Sequence, residues 1–276
     1  AVVADGGDKR AFYVEQQNRI ADLANKVHNG EITNAAGEKF TTVVQIGIGG
    51  SDLGPRAMYL ALENWAKVNN TFKMEAKFIS NVDPDDAAGV LATIDVAHSL
   101  FVLVSKSGTT LETLTNESFV KDALKNAGLD PAKHMVAVTS ETSPLAKSDD
   151  YLAAFFMDDY IGGRYSSTSG VGGAVLSLAF GPEVFGQFLD GAAAAEILLE
   201  YKLRTGKQFN IMTQDTLIIG NSPICQFIIA VMRLSQDSND TISRAIINNY
   251  LDRPIDQPLS EQEAHMVDGI SQLTPE

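Results

Sequence analysis

The sequence predicts an α/β protein built on a doubly wound, parallel sheet. From residue 41 onward, short apolar runs rich in β-branched residues alternate with amphipathic segments of helical period. Loops rich in glycine or hydroxyl groups follow the first and third of these runs. Because parallel strands are joined by crossover helices that cover both faces of the sheet, this alternation is typical of a doubly wound domain.

A helical segment, assigned to residues 1–40, precedes the alternating units. Apolar residues recur at about helical spacing over residues 8–29, and Asn29-Gly30 ends the pattern. Residues 31–39 are polar and predict a turn. We therefore expect one long helix before the first strand.

The alternating units are assigned to one domain, residues 41–191. The apolar runs predicted as its strands are 42–47, 76–80, 100–105, 135–139 and 153–157. The segments predicted as its helices are 52–67, 84–92, 109–127 and 171–180. Ligands of such sheets bind beyond the carboxyl ends of the strands, where the strand order reverses. The loops after the first and third strands are therefore the candidate sites.

The remaining residues, 192–276, have a different character and are left without a fold assignment. A helix is predicted at 192–203, a strand at 216–220, and a buried helix or strand at 224–234. From Ser238 onward the sequence is polar and predicts irregular structure.

Composition and charge exclude several classes of function. The formal net charge of -14 opposes nucleic-acid binding, and no basic stripe offsets it. No run approaches the roughly 18 apolar residues of a membrane span, and no secretory signal precedes the first helix. The single cysteine, Cys225, lies in an apolar run and cannot form an internal disulfide, so a cytoplasmic location is expected.

The loop after the first predicted strand is rich in glycine and leads into a helix. Glycine lets the backbone approach a ligand closely, and a helix N-terminus favours anions. Gly47 and Gly49 fit a dinucleotide fingerprint, but Asp52 stands where its third glycine would be, and a P-loop lysine is absent. An anion site and a plain tight turn with Asp52 as helix cap both remain open.

The loop after the third predicted strand, Ser105–Thr110, carries several hydroxyl groups, one glycine and a helix start. Hydroxyl and backbone N–H groups together can surround the terminal oxygens of a phosphate monoester. Such clusters also simply cap helices. Two loops of this kind on one sheet favour the phosphate interpretation.

A third candidate feature is the segment Gly162–Gly170, in which Arg164 stands between a glycine pair and a hydroxyl cluster. An arginine there can stabilise a developing oxyanion or bind an anionic ligand. The alternative is an arginine in a surface ion pair.

Three motifs, taken in order, resemble the phosphoglucose isomerase family. Val44–Pro55 is similar to the family's first signature, Ser105–Thr113 to its phosphate loop, and Gly162–Ser166 to a third signature. The resemblance runs from about Phe12 to Gly191, or about two thirds of the chain. It implies the sugar isomerase (SIS) fold with three αβα layers, and glucose 6-phosphate or fructose 6-phosphate as the substrate.

The resemblance also implies roles for individual residues. Arg164 would be catalytic, because it would stabilise the cis-enediolate while a proton moves between C2 and C1 of the sugar. The residues that would bind phosphate and sugar are Gly50, Ser51, Ser105, Lys106, Ser107, Thr109, Thr110 and Gly163. No metal and no organic cofactor is expected. The family further implies a cytoplasmic homodimer that acts in glycolysis and gluconeogenesis.

The catalytic base has no counterpart in this resemblance. In the family the base is a glutamate of a Glu-Ser-Asn-Gly-Lys segment in a second SIS domain, and that segment is absent from this sequence. Residues 192–276 are therefore expected to be a remnant or replacement of that domain, in a fragment or reduced form of a longer isomerase. Three interpretations stay open: the isomerase, a SIS domain that binds a phosphosugar without turnover, and an isomerase whose base is Glu112 or Glu141.

Overall fold

The computed structural model describes residues 3, 4 and 7–205, and in the C-terminal part residues 227, 230, 231, 233, 234, 239–251, 253, 254, 258, 260 and 264. The chain consists of two compact units, Ala1–Ala194 and Ala195–Glu276. The domain boundary expected between residues 191 and 192 stays a prediction.

The first unit is organised around a sheet of five parallel strands. These are β1 (Thr42–Ile46), β2 (Glu75–Ile79), β3 (Ser99–Val104), β4 (Met135–Thr139) and β5 (Ala153–Phe156). Their spatial order is β2-β1-β3-β4-β5, and every pairing is parallel. Ile46 is aligned with both Ile79 and Leu103, so the carboxyl ends of three strands meet at one edge. The order reverses between β1 and β3, which confirms the doubly wound sheet.

The helices whose bounds the structure describes are α1 (Arg10–Asn29), α2 (Gly50–Val68), α3 (Pro84–Leu91), α4 (Leu111–Asn126), α5 (Gly170–Phe180), α6 (Pro182–Thr205) and α7 (Thr241–Tyr250). Short 3₁₀ helices lie at 96–98, 131–133, 144–147 and 163–168. Val3–Ala4 and Gly7–Asp8 form a short antiparallel pair of strands. The helix ends follow local signals. α1 stops at Gly30, which is left-handed (φ 80°), and Asp83 caps α3 through the backbone N–H of Asp85.

Two apolar cores lie on opposite faces of this sheet. Val102 and Val104 of β3 pack in one core with residues of α1, α2 and α5, whereas Phe101 and Leu103 pack in the other with residues of α3 and α4. Alternation along the strand follows from the two-residue period of β structure. Each fully buried Val, Leu or Phe side chain stabilises the fold by roughly 1.5–3 kcal/mol. The three-layer αβα arrangement predicted from the sequence is confirmed.

One predicted helix is longer than the sequence pattern indicated. The segment 192–203 lies inside α6, which already begins at Pro182. α5 ends at Gly181 (φ 100°), and proline is well suited to the first turn of the next helix because it needs no N–H partner there. Gly186 and Gly191 lie inside α6 and are weak helix formers, so the sequence pattern did not predict the first half of this helix.

The expectation of irregular structure from Ser238 onward was wrong for residues 241–250, which form α7. The Asp240 side chain caps this helix by accepting hydrogen bonds from the backbone N–H groups of Ile242 and Ser243, at 3.0 Å each. The strand predicted at 216–220 lies outside the described residues.

Cys225 also lies outside the described residues. The segment 224–234, predicted as helix or strand, is helical at its described positions. Among all residues that the structure describes, no helix combines the length and the apolar character that crossing a membrane requires.

Candidate active site

The loop after β1 turns tightly into the N-terminus of α2. Gly49 adopts φ 60° and ψ -117°, a conformation that is open mainly to glycine. A Cβ on Gly47 would lie 2.7 Å from the carbonyl oxygen of Ser51, so this position also requires glycine. The buried Gln45 side chain donates to that same oxygen at 2.6 Å. The glycines therefore allow the first turn of α2 to sit directly on the end of β1.

Asp52 does not cap α2, contrary to one of the sequence interpretations. The N-cap position is Gly49, and the buried Asp52 carboxylate instead pairs with Arg56 at 2.8 Å. Arg56 also donates to the Ser80 hydroxyl after β2, at 2.6 Å. Burial raises the pKa of Asp52, while the Arg56 guanidinium opposes that shift. Asp52 is thus used to tie α2 to the end of β2.

The hydroxyl-rich loop after β3 is held in shape by its own side chains. The buried Ser105 hydroxyl accepts from the Gly108 N–H at 3.2 Å and donates to the Thr110 hydroxyl at 3.3 Å. The Ser107 hydroxyl accepts from the N–H and the hydroxyl of Thr109, at 3.2 and 3.0 Å. Ser107 and Thr109 are exposed. The loop therefore presents hydroxyl groups to solvent from a preformed backbone.

The same loop leads into α4 without a side-chain cap. Thr110 occupies the N-cap position, but its hydroxyl makes no capping bond to the first turn of α4. The interpretation of the cluster as a simple helix cap is thus not supported. The free N–H groups of a first helical turn and the helix dipole favour an anion at this place.

The third motif packs against the N-terminus of α2. The Ser166 hydroxyl contacts two carbonyl oxygens, that of Gly163 at 2.7 Å and that of Gly50 at 3.1 Å. A Cβ added to Gly50 would meet the Gly163 backbone, with its Cα at 2.7 Å. Sequence reasoning singled out both glycines but missed this contact, because it joins residues far apart in the chain.

Arg164 extends from this third segment into solvent. Its side chain is exposed, and within the described part of the chain it has no hydrogen bond or ion pair. The alternative of a surface ion pair is therefore not supported. Lys106 of the hydroxyl-rich loop donates to the carbonyl oxygens of Asp159 and Ile161, at 3.0 and 3.2 Å. Direct contacts thus connect the Arg164 segment to the first turn of α2, and they connect Lys106 to the residues immediately before that segment.

All nine residues singled out from the sequence lie in these three connected elements at the carboxyl edge of the sheet: Gly50, Ser51, Ser105, Lys106, Ser107, Thr109, Thr110, Gly163 and Arg164. Their roles in binding and catalysis stay predictions. Sequence reasoning missed Gln45 and Ser166, which support the backbone of the site. The only signal for them was their place inside two of the motifs.

The described histidines lie away from this edge. His98 and His134 immediately precede β3 and β4, at the opposite edge of the sheet. His28 at the end of α1 contacts the carbonyl oxygen of Leu178 at 2.8 Å. Throughout the described residues, no three His, Cys, Asp or Glu side chains are grouped closely enough to hold a metal ion.

A cavity of about 420 Å³ lies between α1 and the Arg164 segment. Tyr13 and Ile20 of α1 and Tyr160 and Tyr165 of the segment after β5 are among its lining residues. None of the residues 105–110 lines it. The hydroxyl-rich loop therefore lies outside this cavity.

A model of the family described as phosphoglucose isomerase matches residues 1–217. The chain belongs to the phosphoglucose isomerase family. The family match continues past Gly191, where the motif resemblance was predicted to end. The parallel αβα domain is the SIS fold of this family.

Curated relatives agree with this assignment. The glucose-6-phosphate isomerase of Treponema pallidum (strain Nichols) is 61% identical over 189 residues, which are 68% of this chain and 35% of that protein. That of Treponema denticola is 60% identical over 197 residues, 71% of this chain and 37% of that protein.

A solved structure gives the same result. The glucose-6-phosphate isomerase from Chlamydia trachomatis matches with a TM-score of 0.62 and 38% identity, over 84% of this chain and 41% of that one. The chain thus spans between 35% and 41% of the length of these three relatives.

Proposed function

We propose that this chain carries the phosphate site and the oxyanion-stabilising arginine of a glucose-6-phosphate isomerase. The reaction interconverts glucose 6-phosphate and fructose 6-phosphate through a cis-enediolate. The observation that carries the proposal is the junction of three elements at one sheet edge: the hydroxyl-rich loop, the first turn of α2 and the Arg164 segment. The similar proteins named glucose-6-phosphate isomerase also support the proposal, and they disfavour the alternative of a domain that binds a phosphosugar without turnover.

In this proposal the phosphate dianion lies in the loop Ser105–Thr110. The exposed hydroxyls of Ser107 and Thr109 and that of Thr110 donate to its oxygens, together with N–H groups of the loop. Ser105 is buried and keeps the loop in shape through Gly108 and Thr110. The positive end of the α4 dipole adds a favourable field for the charge.

The sugar chain extends from the phosphate towards the N-terminus of α2. Gly50, Ser51 and Gly163 form the backbone surface on that side, where the absence of side chains lets the Gly50 and Gly163 backbones pack against each other. The Ser51 side chain is only half-buried and is available to a sugar hydroxyl.

Arg164 stabilises the negative charge that develops on the oxygens of C1 and C2. Its guanidinium is free of protein partners within the described residues, so binding the oxyanion breaks no existing ion pair. The net reaction is a proton transfer between two carbons of one sugar, and it requires no redox cofactor. The proposal assigns the base to neither Glu112 nor Glu141, since both are exposed and lack a hydrogen bond to any described residue.

We also propose that the protein acts as a homodimer in the cytoplasm, as the family resemblance implies. The single cysteine of the sequence is compatible with a reducing compartment. Analytical ultracentrifugation of the purified chain tests the assembly, and a monomer at micromolar concentration contradicts it.

The function is tested with the purified chain in two assays. A coupled assay follows glucose 6-phosphate formed from fructose 6-phosphate, and calorimetry follows the binding of 6-phosphogluconate. In the Ser107→Ala/Thr110→Ala variant we expect at least about tenfold weaker binding, because each lost bond to a charged group is worth roughly 1.5–3 kcal/mol. Thr93→Ala, which removes an exposed hydroxyl at the opposite edge of the sheet, is the control and keeps wild-type affinity.

The outcomes separate the interpretations. Turnover supports the isomerase. Binding without turnover supports a domain that only binds the phosphosugar. Equal affinity of the double variant and the wild type refutes the phosphate loop.

A further inference from the structure

The Lys106 ammonium group is held by the main chain of another segment. Its Nζ lies 3.0 Å from the carbonyl oxygen of Asp159 and 3.2 Å from that of Ile161. No carboxylate within the described residues forms an ion pair with it. Two of the three N–H donors of the ammonium are thus used by carbonyl groups, and the side chain is half-buried.

The backbone of Lys106 is anchored as well, at the end of β4. Its carbonyl oxygen accepts from the Ser140 N–H at 3.0 Å, and the Thr139 hydroxyl lies 3.3 Å away. The side chain therefore reaches out from a fixed point on the sheet. Because the Lys106 backbone is fixed, its ammonium group restrains the carbonyl groups of Asp159 and Ile161 to which it donates.

The restrained segment leads directly to the arginine. Ile161 is three residues before Arg164, and only Gly162 and Gly163 lie between them. The next anchor is the packing of Gly163 on Gly50. Lys106 and Gly50 thus hold the chain on either side of Gly162, immediately before Arg164.

We propose that Lys106 is a positioning residue, which sets the place of Arg164 through the carbonyl groups of Asp159 and Ile161 and does not serve chiefly as a phosphate ligand. This gives the residue a different role from the one that the family resemblance implies. The inference rests on the proposed function only in its last step, where Arg164 meets the anion.

Hydrogen exchange followed by NMR tests the positioning directly and needs no ligand. The reporters are the Ile161 and Tyr165 amides, which donate to the carbonyl oxygens of Asp158 and Gly162 at 3.0 and 2.9 Å. In Lys106→Met, which keeps the aliphatic stem, we expect both amides to exchange about tenfold faster or more, while β3 amides keep their rates. Lys147→Met, at an exposed lysine, is the matched control and changes neither reporter. Unchanged reporters in Lys106→Met overturn the proposal.

A double-mutant cycle tests the link to Arg164. The affinity for 6-phosphogluconate is measured for the wild type, Lys106→Met, Arg164→Met and the double variant. We expect Lys106→Met to weaken binding in the wild type and to have little further effect once Arg164 is gone. An equal loss in both backgrounds shows a direct phosphate contact and refutes the proposal. If the wild type binds no phosphosugar, the proposed function fails, and hydrogen exchange still decides the role of Lys106.

Discussion

Gly50 and Gly163 are 113 residues apart in the sequence, yet their backbones touch: a Cβ on Gly50 would lie 2.7 Å from the Gly163 Cα. The Ser166 hydroxyl spans both carbonyl oxygens. Because two backbone segments are in contact here, a methyl group added at Gly50 cannot be accommodated by the movement of a flexible side chain. The distance between the first turn of α2 and the Arg164 segment therefore depends on the absence of side chains at this point.

Gly50→Ala is expected to push the Arg164 segment away from α2. The added methyl group meets backbone atoms, and overpacking of this kind costs about 1–3 kcal/mol of unfolding free energy. Binding of 6-phosphogluconate should weaken in parallel. Urea denaturation and calorimetry measure the two effects.

Gly89→Ala provides the control for that substitution. Gly89 lies in α3, and a Cβ there would have open space around it. Alanine is the better helix former, so this variant should be about 0.5–1 kcal/mol more stable than the wild type. A Gly50→Ala variant as stable as the wild type contradicts the close contact.

Gly108→Ala is expected to deform the phosphate loop for two separate reasons. Gly108 has φ 67°, and a Cβ there would collide with the Ser143 hydroxyl and lie 3.0 Å from Leu145 Cγ. Gly128 has a similar φ of 75°, but a Cβ there would contact nothing within 4 Å. Gly128→Ala should therefore show the conformational cost alone, about 1 kcal/mol, and Gly108→Ala that cost plus about 1–3 kcal/mol from the collision.

Urea denaturation of the two variants separates these contributions. Equal losses of unfolding free energy in Gly108→Ala and Gly128→Ala would show that the loop yields to the methyl group without cost. That result contradicts a rigid, preformed phosphate loop.

Two histidines should give opposite dependences of stability on pH. Hydrogen bonds to Asp95 and to Glu38 raise the pKa of His98. Its contribution is therefore complete below the unfolded-state pKa near 6.5 and is lost as the pH rises through the folded-state pKa. Since both partner carboxylates are largely exposed, we expect less than about 1 kcal/mol.

The contribution of His28 to stability depends on pH in the opposite direction. Burial lowers its pKa, and the hydrogen bond to the Leu178 carbonyl only partly opposes that shift. Its contribution is present above pH 6.5 and is lost as the pH falls through the folded-state pKa. Unfolding free energies of His98→Gln and His28→Gln, each compared with the wild type from pH 5.5 to 8.5, measure both slopes. The same sign in the two variants would contradict this account.

Local sequence was sufficient where one short pattern decides one element. The five strands and the helices α1 to α5 lie where apolar periodicity, Gly30 and Pro84 predicted them. The loops after the first and third strands were found from their glycine and hydroxyl content, and the structure shows that the strand order reverses between β1 and β3. Local patterns were insufficient for the first half of α6, where two glycines weaken the helical signal, and for α7.

The sequence by itself determined the alternation of strands and helices, the glycine and hydroxyl loops, and the three motifs that mark the family. Only the tertiary structure decided that Arg56 binds Ser80 after β2, that Gly50 lies on Gly163, and that Lys106 holds the carbonyl groups before Arg164. The physical reason is the distance along the sequence over which each kind of interaction acts. Periodicity and turn chemistry act within a few residues. The contacts of Lys106 with Ile161 and of Ser166 with Gly50, in contrast, link positions more than fifty residues apart and form only after the sheet has assembled.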